Sequence, residues 1–328
     1  MGEENYLLPK EFNFDVTKPR WDQGTFFGRL RHFASITDPR LAIASQKELE
    51  AARNLVNDFK RGMMPRGTTV EQIWKARHLE QSAFHPDSGE LMNTFGRMSF
   101  QVPGGMAITG LLLQFYKTPF QVASMQWMNQ SFNALVNYTN RNAASTITKK
   151  QMFLAYLTAT VTGMGVAVGL NRSAALATPI LARWVPFAAV ASANAVNIPL
   201  SRQSEIISGV VITDENDEPV GNSKKCAIKG ITQVVTSRIV MAAPGMLLLP
   251  LIVERIKHTK FWRNYKWAHL PFQVIGVGGF LLFMVPIACS LFPQKCKYKF
   301  SKLEPEVQES IRAKLGKELD YVYFNKGL

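Results

Sequence analysis

The sequence predicts an all-α membrane protein with about five transmembrane helices, some broken at proline, and a helical soluble N-terminal region. Residues 151–171 and 267–294 are runs of 21 and 28 residues without a formal charge. A bilayer core is crossed by about 20 mostly apolar helical residues, so each run is long enough to span. Between Thr118 and Asn140 the chain is again uncharged, yet it carries a row of carboxamides at helical spacing. The mean hydropathy of −0.03 hides these runs by averaging them with charged flanks.

Residues 1–97 read as the soluble region. Glu3, Glu4, Glu11, Asp15 and Asp22 fall within the first 22 positions, with no apolar stretch among them. That pattern excludes a secretory signal and the acid-poor type of mitochondrial presequence. No cleavable presequence is expected, and targeting is assigned to internal segments. Ser45 with Glu48, and Thr68 with Glu71, each have capping-box spacing. They predict amphipathic helices near 46–61 and 69–83, separated by the breaker-rich stretch 61–67.

From residue 98 to 293 the expected spans lie near 99–117, 152–170, 184–201, 235–253 and 268–292. Pro186, Pro199, Pro244 and Pro250 fall within the third and fourth. Proline is tolerated in membrane helices where neighbours satisfy the freed carbonyl. Glycines in several spans fit close helix packing. The link at 202–234 carries Asp214, Glu215, Asp217 and Glu218 beside hairpin-like stretches, so it belongs in water. Residues 294–328 read as a C-terminal tail whose segment from Leu303 to Leu319 is a surface helix.

The formal net charge of +14 raises nucleic-acid binding. No nucleic-acid signature accompanies it, and the basic residues flank apolar segments as membrane boundaries require. The three cysteines do not make a disulfide framework. His85-Pro86-Asp87-Ser88-Gly89 holds triad residue types, but a triad is recognised by geometry, not adjacency. Asp87 as turn former with His85 as its hydrogen-bond partner is the simpler role. No phosphate loop, nucleophile elbow or metal-ligand spacing appears among the five histidines. An enzyme, a cofactor or a metal site therefore finds no support in the sequence.

The polar chemistry sits in 126–140. At 100° per residue Gln126, Asn129, Gln130, Asn133, Asn137 and Asn140 fall within about 120° of arc. Met125, Met128, Phe132, Leu135 and Val136 are assigned to the opposite side. An unpaired amide in hydrocarbon costs several kcal/mol by order of magnitude, so the stripe must meet water, another helix or a substrate. An interfacial amphipathic helix is the alternative, although such helices usually carry Lys and Arg on the polar face. A second cluster, Ser192, Asn194 and Asn197 before Pro199, fits either helix-to-helix glue or a ligand-binding helix break.

Arg172, Arg183, Arg202 and Arg238 are placed at span edges, where they can snorkel. A tricarboxylate would call for several buried cations. A zwitterion needs only dipoles, namely helix N-termini for its carboxylate and amide oxygens for its ammonium. The expected substrate is therefore a small neutral amino acid, bound by Asn129, Gln130, Asn133, Asn137, Ser192, Asn194 and Asn197.

Several stretches now resemble one family. They are His85–Gly89, Asn129–Asn142, Val185–Val190, Ala242–Met246, Leu291–Gln294 and Phe324–Leu328. In this order, with Pro19–Gln23 ahead of them, they resemble the sideroflexins over nearly the whole chain. Gln101–Met106 most resembles the branch formed by the second animal paralogue. Ser88 departs from the Thr usual in the family, a change that keeps a turn-capping hydroxyl. The resemblance implies a five-span, multi-pass protein of the mitochondrial inner membrane. It further implies serine import for one-carbon metabolism, and a link to iron and haem homeostasis. The competing expectation is an interaction protein in the same membrane that moves no solute. Only a transporter needs a continuous polar path through the spans.

Overall fold

The computed structural model describes residues 12, 14–65, 67–85, 88–115, 117–140, 148–174 and 179–327. The soluble region is built on α1 (Phe26–Ile36), α2 (Gln46–Lys60) and α3 (Val70–Ala83). Ser45 Oγ accepts from Glu48 N while Glu48 Oε2 accepts from Ser45 N at 2.8 Å, so α2 opens with a complete capping box. The box of α3 pairs Thr69 with Gln72, one residue later than expected. Both spacings satisfy the motif. Thr68 is diverted because its hydroxyl donates to Pro65 O at 2.8 Å and closes the preceding turn.

Val56 and Phe59 on α2 meet Ile73 and Ala76 on α3, with Phe12 and Val16 packed against them. Val56 and Ile73 are fully buried, each contributing roughly 1.5–3 kcal/mol of transfer free energy. Arg29 on α1 ties this unit to the membrane helices. Its Nε donates to Ser290 O at 2.9 Å, and one terminal nitrogen donates to Gln23 O and Gly24 O at 3.0 Å.

The helical bundle follows: α4 (Gln101–Gln114), α5 (Pro119–Thr139), α6 (Lys149–Ala174), α7 (Pro179–Ser201) and short α8 (Gln203–Ser208). After the hairpin β1 (Val210–Thr213) and β2 (Pro219–Ser223) come α9 (Lys224–Ile256), short α10 (Lys260–Asn264) and α11 (His269–Ser290). Helix α4 packs on α11, α6 on α5 and α7, and α9 on α7 and α11. Among the described residues three segments are long and apolar enough to cross a membrane: Phe153–Leu170, Lys224–Ile256 and Lys266–Ser290. Their outward faces are apolar. Phe153, Leu157 and Val161 on α6 and Ile275, Leu282 and Phe283 on α11 are exposed, as lipid contact requires.

The bundle differs from expectation in two ways. The span expected at 99–117 is α4, whose 14 residues reach about 21 Å, short of a roughly 30 Å core. Gln114 ends it, and Pro119 opens the next helix. The expected proline breaks do not occur. Helices α7, α9 and α11 continue through Pro186, Pro199, Pro244, Pro250 and Pro286. Each proline removes one backbone donor, but neighbouring helices on both sides hold the backbone helical.

The end of the chain is more than a tail. β3 (Lys295–Lys299) and β4 (Tyr321–Asn325), with α12 (Pro305–Leu315) between them in the chain, join the hairpin in one antiparallel sheet of order β2-β1-β4-β3. Ile212, Val220, Cys226, Cys296, Ile311, Val322 and Phe324 form its core. The hairpin turn is closed by Asp214, whose carboxylate accepts from Asn216 N and Glu218 N at 2.8 and 2.9 Å. The expected surface helix is α12, shorter than the Leu303–Leu319 estimate. It ends where Gly316 adopts φ +67°, the left-handed cap that favours glycine.

Candidate functional site

Helix α5 carries the amide stripe. A capping box that the sequence reading missed opens it: Thr118 Oγ1 accepts from Gln121 N, and Gln121 Oε1 accepts from Thr118 N at 3.2 Å, with Pro119 as first helical residue. At its far end Asn140 Nδ2 donates to Gly96 O at 2.7 Å and to Val136 O at 2.8 Å. That amide anchors the helix end. Ser131 Oγ and Tyr156 Oη, 2.8 Å apart, clamp α5 to α6.

The stripe faces inward. Gln126 and Gln130 are fully buried and Asn129 is 9% exposed. A helix lying on a membrane surface would present its polar face to headgroups, so the interfacial alternative does not describe α5.

Asn129 and Asn133, one turn apart and hence on one face, line a cavity of about 70 Å³ among α4, α5, α7, α9 and α11. Asn194 of α7 borders the same cavity. Asn129 Nδ2 is buried with no hydrogen-bond partner. The space holds roughly two waters. Phe132, assigned to the apolar side, also borders it. It stands only about 60° from Asn129 on the helix, and its ring lies against Gly104. A Cβ at Gly104 would come within 2.5 Å of that ring, so the approach of α4 to α5 requires glycine.

Gln130 and Asn197 do something else. Asn197 Nδ2 donates to Gln130 Oε1 at 3.2 Å in a fully enclosed contact between α5 and α7. These two join helices to each other. Asn137 and Ser192 are partly exposed and do not border the cavity. His85 Nδ1 accepts from Ser88 N at 3.3 Å, and His85 O accepts from Gly89 N at 2.9 Å, a turn-forming role. Its expected partner Asp87 lies outside the described residues.

Three polar residues on the cavity wall were not anticipated: Gln101 and Thr109 of α4 and Arg238 of α9. Arg238 was placed at a span edge for snorkelling, whereas it borders the cavity. No hydrogen bond or ion pair to it occurs among the described residues, and no carboxylate lines the cavity. The signal was available. Arg238 is the sole charge between Lys229 and Glu254, and an isolated ionisable residue in a membrane helix marks function by default.

Fold and cavity together define a polytopic helical membrane protein with a small cavity among its helices, bordered by three asparagines and one arginine. The sideroflexin family model, described as "Sideroflexins", matches residues 15–328. Sideroflexin-2 of Homo sapiens is 56% identical over 315 residues, covering 96% of this chain and 98% of that protein. Sideroflexin-2 of Mus musculus is equally similar, with the same coverage. Sideroflexin-1 of Bos taurus is 47% identical over 316 residues, again 96% and 98% of the two chains. The chain belongs to the sideroflexin family. No solved structure matches it.

Proposed function

We propose that the protein is a transporter of small neutral amino acids in the mitochondrial inner membrane, with a serine-like zwitterion as its substrate. The observation that carries this is the cavity where Asn129, Asn133 and Asn194 converge with Arg238. Amide oxygens there suit a substrate ammonium and hydroxyl, and the unpaired guanidinium suits its carboxylate. The wall offers a single cation and no second one for a further carboxylate, which favours a monocarboxylate zwitterion over a tricarboxylate. Membership of the sideroflexin family supports a transporter-type role over an enzymatic one.

Uptake of labelled serine by the purified protein in liposomes tests the proposal. Accumulation above protein-free vesicles, competed by unlabelled alanine but not by citrate, is the expected result. No accumulation in vesicles that contain correctly inserted protein would overturn the reading and bring the interaction protein forward.

A further inference from the structure

A second cavity of about 30 Å³ abuts the first and shares Gln101, Arg238, Met241 and Val285 with it. Ser237, Cys289 and Lys326 complete its polar wall. Lys326 directly follows β4, far in sequence from the bundle. Its backbone is held on both sides: its N donates to Gln294 O at 2.9 Å, and its O accepts from Arg202 at 2.8 Å. The side chain is thereby confined to the interior, and the residue is 2% exposed.

The polar groups here are almost all donors without acceptors. Gln101 Nε2 and Ser237 Oγ are buried with no hydrogen-bond partner. Among the described residues neither the Arg238 guanidinium nor the Lys326 ammonium has a hydrogen bond or an ion pair, and no Asp or Glu lines the cavity. Two unpaired cations and two orphaned neutral donors around one small space are costly when nothing accepts from them. An anion removes the cost. The planar fork of arginine pairs with a carboxylate through two parallel hydrogen bonds.

We propose that Gln101, Ser237, Arg238 and Lys326 form a monocarboxylate subsite at the end of the amide cavity. Resting on the transport reading above, the subsite holds the carboxylate of the substrate while its ammonium and side chain lie among Asn129, Asn133 and Asn194. Burial, opposed by the thiols of Cys289 and Cys296 and reinforced by Arg29 and Arg202, holds the Lys326 ammonium below the usual lysine range. A bound carboxylate would counter that shift. The residue that follows the last strand thus supplies part of the binding site.

Saturation-transfer NMR on the full chain in detergent, with propionate and propionamide as probes, tests the subsite apart from transport. The expected result is a propionate signal that L-serine displaces, and none from propionamide. Arg238→Gln and Lys326→Gln should each weaken propionate binding at least tenfold. Arg238→Lys, which keeps the charge, should weaken it less and shows that the bundle tolerates a change there. Equal signals from the two probes, preference for inorganic phosphate, or unchanged binding in Arg238→Gln would overturn the subsite. Serine uptake in liposomes separates the two ideas. Uptake that persists undiminished in Arg238→Gln sinks the subsite and leaves transport standing. Propionate binding that serine cannot displace, together with absent uptake, sinks the transport reading and the assignment of the subsite to substrate.

Discussion

The soluble N-terminal unit and the membrane bundle handle buried polarity in opposite ways. In residues 12–97 polar groups are closed on one another. Thr37 Oγ1 donates to Phe33 O at 2.7 Å, Ser82 Oγ donates to Leu79 O at 2.9 Å, and Arg97 donates twice to Met92 O. The one buried side-chain atom left without a partner there, among the described residues, is Arg77 Nε. In the bundle Gln101, Asn129 and Ser237, which border the two cavities, retain such atoms, and Arg238 stands among them. An orphaned donor costs about 1–3 kcal/mol, and the cost is greater where no water can enter. Closed polarity serves stability. Open polarity clustered around a cavity is what a ligand site needs before its ligand arrives.

The sharpest way to break this contrast is to attack the closed side where it meets the open one. Arg29→Met removes the donor for Ser290 O, Gln23 O and Gly24 O while keeping much of the apolar stem. The expected cost is about 3 kcal/mol, since three carbonyls at a buried seam lose their partner. Denaturant unfolding followed by tryptophan fluorescence measures it. Uptake per folded molecule should change less than twofold. A large loss of uptake with unchanged stability would show that the division between the two regions is wrong.

On the open side the expectation is reversed. Asn133→Ala and Asn194→Ala should reduce serine uptake by on the order of 1–3 kcal/mol, or about 5- to 150-fold, by leaving a substrate polar group unpaired. Asn133→Leu should be worse because it also fills the cavity. Met128→Leu, a volume-conserving swap, is the control. Uptake is normalised to correctly inserted protein. Unchanged uptake in both alanine variants would reduce the stripe to helix glue and favour the interaction protein.

Proton linkage sharpens the comparison from the closed side. His78 on α3 stacks on Trp21 at 5.7 Å. Burial, aided by the charges of His32, Arg20 and Arg77 and opposed by Glu71, pushes its pKa down to about 4 from 6.5. The unfolded chain therefore takes up this proton below about pH 6.5, while the folded unit refuses it until about pH 4. Stability of the N-terminal unit should fall progressively across that window and be insensitive to His78 above it. His78→Gln should flatten the slope in pH-dependent unfolding followed by Trp21 and Trp74 fluorescence. An identical slope in the variant would remove His78 as its source.

How much of this was legible follows the physics of each signal. Capping boxes, hairpin residues and the long uncharged runs are local, and α2, α3, α6, α11 and the β1–β2 hairpin lie near where they were expected. The inward turn of the amide stripe was legible in outline, because six amides on one arc are expensive facing lipid. Which amides would meet across the bundle was not. Gln130 reaches Asn197 67 positions away, and no periodicity encodes that. The sheet formed by residues 210–223 and 295–325 was missed for the same reason, since β1 finds β4 across more than 100 residues. Arg238 was missed through an error of weighting: an edge position was assumed for a charge that stood alone.

The smallest predicted effect tests whether the closed pair inside the open bundle has been assigned correctly. Gln130 and Asn197 are both nearly fully buried, at 0% and 4% exposure, and bond to each other. Interhelical hydrogen bonds in membranes are worth about 0.6 kcal/mol on average, because the separated helices also find partners. A double-mutant cycle with Gln130→Leu, Asn197→Leu and the pair should therefore give a coupling energy near that value, read from unfolding in detergent micelles. Each single variant should cost more than the double variant implies, because it leaves the other amide without its partner. Serine uptake per folded molecule should respond less than it does to Asn133→Ala. If Asn197→Leu abolishes uptake at unchanged stability, the pair belongs to the substrate path and the cavity is larger than its present walls. If the coupling is zero and uptake is unaffected, the two amides are independent and the contact does not hold α5 to α7.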